Sequence, residues 1–257
     1  MNGPETAGWW SRTQWVIARS ALDEYVLAYR RPGDVMRSIH PVLLCLLLAT
    51  GCTPAPGRSD TDTNADSDSP SCPTVAVVTD IDETLTTSDE EWLAQILDPS
   101  YDPAMRPDAN ILMQRYAEAG LDVYYVTARG EDMTLLDGTS ARDATEAWLA
   151  AHDFPEPQDH VFLAPGIGAS GNEVVAYKAG VIDDAEAAGW SFAWGYGNAE
   201  TDIEAFLQAG MPGQTVFFVG DLSTEAADYG VQPIANEDAY TNHLADQTPS
   251  IVPVDCP

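Results

Sequence analysis

The chain has 257 residues, with 41 Asp plus Glu against 11 Lys plus Arg and a formal net charge of −30. Such a field repels nucleic acid and anionic headgroups, so nucleic-acid binding is excluded as a main role; an anionic substrate would need a bound cation to enter. The cysteines form no CxxC and the histidines no cluster, which argues against zinc.

In chain order, residues 36–51 come first, because MRSIHPVLLCLLLATG followed by Cys52 has the layout of an export signal: one arginine, an apolar stretch at 42–49, then small residues. It resembles a bacterial lipoprotein signal, which implies that Cys52 becomes the lipidated first residue of an exported, membrane-anchored protein. The apolar stretch is too short to span a bilayer comfortably. Residues 1–35 precede a signal that should begin near the terminus. Translation is therefore expected to start at Met36, and precursor peptides from before it would contradict this. Residues 52–71 are a Pro/Ser/Thr/Asp linker without a large apolar residue. DTDTNA in that linker opens like a calcium loop but has Ala65 where the loop needs Gly and Ser71 where it needs Glu, so it is rejected. Cys72 and Cys256 flank the domain at 72–257 and are expected to form one disulfide in an oxidising compartment, the alternative being two unrelated thiols.

Beyond the linker, β-branched and aromatic runs at 75–79, 122–127, 160–163, 191–195 and 215–219 alternate with helical patterns near 89–97, 108–119, 139–151, 173–188 and 199–209. That alternation predicts an α/β domain, a Rossmann-like parallel sheet with helices on both faces. No large insertion interrupts the units, so a cap domain is expected to be absent or minimal and the site open. The stretch beyond 219 has no clear pattern; 250–257 are expected to run back across the surface.

Four motifs carry chemistry. The first strand ends on Asp80 and Asp82, and side chains at i and i+2 of an extended segment point the same way. This places two carboxylates at the carboxyl end of a buried strand, where open α/β sheets bind ligands. So close a pair needs a cation between its members, or one of them keeps a proton. Both states serve phosphoryl transfer: one Asp attacks phosphorus and helps hold a metal while the other passes a proton to the leaving oxygen. The second strand ends on Thr127, whose hydroxyl either donates to a phosphoryl oxygen or caps the next turn. Lys178 is the only lysine in the chain, and a compact ammonium suits a phosphoryl group beside two carboxylates, unless it lies on a solvated helix face. In GNAETD at 197–202, glycine permits a tight turn. Asn198 and Asp202 offer the hard oxygen ligands that Mg²⁺ prefers, or they cap the following helix.

Taken together, these pieces resemble the haloacid dehalogenase superfamily of Mg²⁺-dependent phosphohydrolases, and within it the lipin-type phosphatidate phosphatases. The likeness is carried by DIDETLTTSD at 80–89, YYVTARG at 124–130, Lys178, and GYGNAETDIEAFLQAGMPGQTVFFV at 195–219. GNxxTD is its specific part, since most of the superfamily has Asp at the position of Asn198. The resemblance implies Asp80 as nucleophile and Asp82 as general acid/base, with Thr127 and Lys178 binding the phosphoryl group. Mg²⁺ would be held by Asp80, the Asp82 backbone carbonyl, and Asn198 or Asp202. It also implies a phosphomonoesterase acting through an aspartyl-phosphate, with phosphatidate as a candidate phospholipid substrate. Small soluble phosphomonoesters are the alternative, and a non-catalytic lipid- or phosphate-binding module is a third reading. Two features depart from the lipin pattern. Glu83 stands where lipins usually have Gly, and no lipin amino-terminal domain or basic amphipathic element is recognised.

Overall fold

The computed structural model describes residues 74–155, 159–235, 239–247 and 251. Residues 1–35, the expected signal, Cys52, the linker and the expected Cys72–Cys256 pair lie outside them. Among the described residues no helix is long and apolar enough to cross a membrane.

The predicted alternation is present. In chain order the elements are β1 (Thr74–Thr79), α1 (Glu90–Leu97), α2 (Ala109–Glu118), β2 (Asp122–Gly130), α3 (Ala141–Ala151), β3 (Val161–Ala164), α4 (Asn172–Ala187), β4 (Trp190–Gly197), α5 (Glu200–Gln208), β5 (Val216–Val219), α6 (Ala226–Tyr229), β6 (Gln232–Ile234) and α7 (Ala239–Gln247). The strands form a six-stranded sheet in the order β3-β2-β1-β4-β5-β6, and each described pairing is parallel.

Strand periodicity explains why both faces are covered, because successive side chains point to opposite sides. Val77, Val123, Tyr125, Phe217 and Val219 pack on one face with Leu112, Met113 and Tyr116 of α2 and Trp148 and Leu149 of α3. Their neighbours Ala76, Val78, Tyr124, Val126, Val216 and Phe218 pack on the other with Ile182 of α4 and Ile203 and Phe206 of α5. Each large side chain so buried contributes about 1.5–3 kcal/mol of transfer free energy.

Strand order reverses at β1, which pairs with β2 on one side and β4 on the other. Asp80 follows directly, at the crevice where an open parallel sheet takes its ligand. Among the described residues no inserted domain covers that edge; the connections that leave it from β1 to β5 are 80–89, 131–140, 165–171, 198–199 and 220–225.

The stretch beyond 219, patternless in the sequence, is not featureless. It holds β6, which extends the sheet through Phe218↔Pro233, together with α6 and α7. Strand β2 also runs to Gly130 rather than ending at 127, because the loop after β3 closes against it. A Cβ at Gly130 would stand 2.1 Å from the Ile167 carbonyl carbon.

Candidate active site

The turn after β1 distributes the two aspartates. Ile81 is fully buried and its carbonyl accepts from the N–H groups of Thr84, Leu85 and Thr86 at 3.2, 2.8 and 3.1 Å. The chain therefore leaves extended geometry at Asp80, and the carboxylates of Asp80 and Asp82 take different partners instead of lying parallel.

Asp80 faces α4 and α5. Lys178 sits on the apolar face of α4 formed by Val174, Val175, Ala179, Ile182 and Ala185, which buries its stem. Its Nζ donates to Asp80 Oδ1 and to Asp202 Oδ1, both at 2.6 Å. Lys178, Asp202 and Asp80 are only 1 %, 2 % and 5 % exposed, so the triad is effectively out of water. Asp202 Oδ2 accepts from the backbone N–H of Asn198 and Ala199, both at 3.2 Å, at the start of α5. Gly197 makes this possible, because a Cβ there would lie 2.4 Å from that of Asp202. Asp202 is thus occupied at both oxygens, by the ammonium and by the loop.

On the other side of Asp80, the Thr84 hydroxyl lies 3.2 Å from Asp80 Oδ2 and 2.9 Å from Asn198 Oδ1. A hydroxyl has one proton and can serve only one of these acceptors. Two oxygens therefore converge with a lone-pair surplus.

The electrostatics agree with that count. Burial pushes Asp80 up to about 7; Lys178 opposes this, while Asp202 and Asp82 add to it. Burial also works against the Lys178 charge, but Asp202 and then Asp80 outweigh it and lift the ammonium above its ordinary value. Two carboxylates share one ammonium, leaving excess negative charge at the strand end. The donor chemistry suits an oxygen-seeking dication placed by Asp80 and Asn198, although among the described residues no three or more His, Cys, Asp or Glu side chains cluster as a ready-made metal cage.

Asp82 faces β2. Its Oδ1 lies 2.7 Å from Arg129 Nη2, its Oδ2 lies 2.9 Å from Arg129 Nε, and Thr127 donates to Oδ2 at 3.2 Å. The sequence motifs do not single out Arg129. The signal was nevertheless present, because Thr127 and Arg129 are two apart on one strand and share a face. Asp89 also belongs to this edge; burial, followed by Asp82, raises its carboxyl above the usual range. The structure brings Asp80, Lys178, Asn198 and Asp202 into one group and Asp82 and Thr127 into an adjoining one.

The sheet order, the aspartate turn and the buried lysine define an α/β domain with a parallel six-stranded sheet and a charged site at its strand-order reversal. The family model described as PITM 1-3, LNS2 domain matches residues 77–220, more than half of the chain, and the chain belongs to that family. A search of curated proteins finds no match. Among solved structures, a D,D-heptose 1,7-bisphosphate phosphatase from B. bronchiseptica is similar at 16 % identity and TM-score 0.47, covering 68 % of this chain and 99 % of its own. A class C acid phosphatase from Bacillus anthracis is similar at 16 % identity and TM-score 0.38, covering 65 % and 67 %. These likenesses concern the fold alone.

Proposed function

We propose that the protein is a Mg²⁺-dependent phosphomonoesterase acting through an aspartyl-phosphate on Asp80. The observation that carries this reading is the placement of Asp80 at the strand-order reversal, gripped by Lys178 on one oxygen and facing Thr84 and Asn198 with the other. An Asp80 oxygen forms a bond to phosphorus as the ester P–O bond breaks, and Asp82 gives its proton to the departing alkoxide. Asp82 then takes a proton from water, whose oxygen attacks phosphorus and restores the Asp80 carboxylate with release of inorganic phosphate. Lys178 offsets charge on the transferring group while Asp202 and the 198–199 turn hold the lysine in place. Mg²⁺, held by Asp80, the Asp82 carbonyl and Asn198, would supply the positive charge that an anionic substrate needs in so negative a chain.

The substrate we favour is phosphatidate, supported by the lipin-like motifs and by the lack, among the described residues, of an inserted domain over that edge. Small phosphomonoesters are the competing substrates. Export and anchoring through Cys52, supported by the 36–51 pattern, would set the domain beside a membrane. The test is phosphate release by the purified protein from phosphatidate micelles and soluble phosphomonoesters, with Mg²⁺ and with EDTA. Release is expected only with Mg²⁺, and Asp80→Asn should lower it at least ~10³-fold. Turnover that survives either EDTA or this substitution would refute the assignment.

A further inference from the structure

We propose that Arg129 is a positioning residue that fixes the Asp82 carboxylate for proton transfer; this rests on the phosphomonoesterase reading above. Asp82 lies on a tight turn rather than a strand, and its side chain has two torsions to be settled. Arg129 settles them. Its Nε and Nη2 grip both carboxylate oxygens, at 2.9 Å to Oδ2 and 2.7 Å to Oδ1, a fork geometry that only guanidinium provides.

The guanidinium is itself held from two other elements. Its Nη1 donates to Thr145 Oγ1 of α3 at 2.8 Å, and that hydroxyl donates to the Ala141 carbonyl at 2.7 Å. Its Cζ lies 4.1 Å from the centre of the Trp92 ring of α1. The backbone is pinned as well, since Arg129 bridges to Gly168 and Gly130 admits no Cβ. With one edge on Asp82, one nitrogen on Thr145, a face on Trp92 and 3 % exposure, Arg129 is not available to grip a phosphate. It acts on the reaction through Asp82.

The clamp also leaves room for chemistry. A carboxylate has about four lone-pair sites. The guanidinium takes the side of both oxygens that faces it, with Nε shared between Oδ2 at 2.9 Å and Oδ1 at 3.2 Å, and Thr127 takes a second site on Oδ2. The edge of Oδ1 turned away from the guanidinium is the one left for a proton in transit. Holding that edge in one direction matters, because displacing a reacting group by about 1 Å can lower a rate ~10²-fold.

The test separates positioning from a merely structural role by leaving group. An alkoxide must be protonated as it departs, whereas p-nitrophenolate leaves without help. The value of kcat/KM reports formation of the aspartyl-phosphate and the steps before it. With the full-length protein and Mg²⁺, Arg129→Met is expected to lower kcat/KM for an alkyl phosphate ~10²-fold and for p-nitrophenyl phosphate less than ~10-fold. On an Asp82→Asn background the same change should add no more than ~3-fold, because its route of action is already gone. Arg129→Lys, which keeps charge and loses the fork, should fall between. Should Arg129→Met fail to fold, Thr145→Val loosens the same guanidinium without touching Asp82 and should show the same bias toward alkyl esters. Equal losses on both esters, or losses that multiply with Asp82→Asn, would overturn the proposal while leaving the enzyme reading intact. A wild-type protein that hydrolyses neither ester with Mg²⁺ would overturn that reading and this one together.

Discussion

Glu83 shows how one residue can record a family's backbone demand. Its φ of 54° lies in the left-handed region, which costs a side-chain-bearing residue roughly 1 kcal/mol and glycine almost nothing. That conformation lets the chain turn back over Ile81 and carry Thr84 toward Asp80. It explains why glycine is usual here in the lipin pattern. The bonds at this position are to its backbone: its N–H donates to Thr86 Oγ1 and its carbonyl accepts from Arg106 Nε, both at 2.9 Å. Glu83→Gly should therefore keep them and raise unfolding stability by about 1 kcal/mol, read as a higher denaturant midpoint. An unchanged or lower midpoint would show that the turn is not strained.

At the level of elements, legibility followed periodicity. Strands β1 to β5 and helices α1 to α5 announce themselves because buried parallel strands are continuous apolar runs and the helices repeat every three to four residues. Strand β6 does not, since Gln232-Pro233-Ile234 is three residues long and its edge position tolerates proline. Helix α7 hides for another reason, because its inward face includes polar residues. Tyr240 donates to the Thr84 carbonyl at 3.1 Å, His243 Nε2 lies 3.0 Å from the Tyr196 hydroxyl, and Gln247 donates to Tyr116 at 2.9 Å. Of the site, Asp80, Lys178, Asn198 and Asp202 were readable as one group. The parting of Asp82 toward Arg129 was not, because it depends on the turn that follows Asp80.

That polar face makes α7 sensitive to acid. Burial lowers His243 from 6.5 to about 4, against a smaller opposing pull from Asp246. The unfolded chain thus takes up the proton first, so the stability contributed by the neutral ring is complete above pH 6.5 and is lost as pH falls toward 4. Discounted for its partial exposure, the loss should be on the order of 1–2 kcal/mol. Denaturant midpoints across that interval should fall less steeply for His243→Phe than for wild type. Parallel slopes would contradict the assignment.

For the whole molecule, a charge of −30 and a site edge lined with carboxylates demand an explanation of how an anionic substrate approaches. In the proposed reaction Mg²⁺ and Lys178 meet that anion, while Arg129 is committed to Asp82. If Cys52 carries a lipid, the linker at 52–71 would tether this acidic body near a membrane without requiring the surface itself to bind anionic lipid. Cys52→Ser should then move the protein from the membrane fraction to the soluble fraction, and unchanged partitioning would rule the anchor out. The most direct test of the central claim is chemical capture of the intermediate. The protein is mixed with substrate and Mg²⁺, quenched, reduced with borohydride and mapped by mass spectrometry. Homoserine is expected at position 80, dependent on Mg²⁺; phosphate release with Asp80 unmodified, or with the label on another residue, would contradict an aspartyl-phosphate on Asp80.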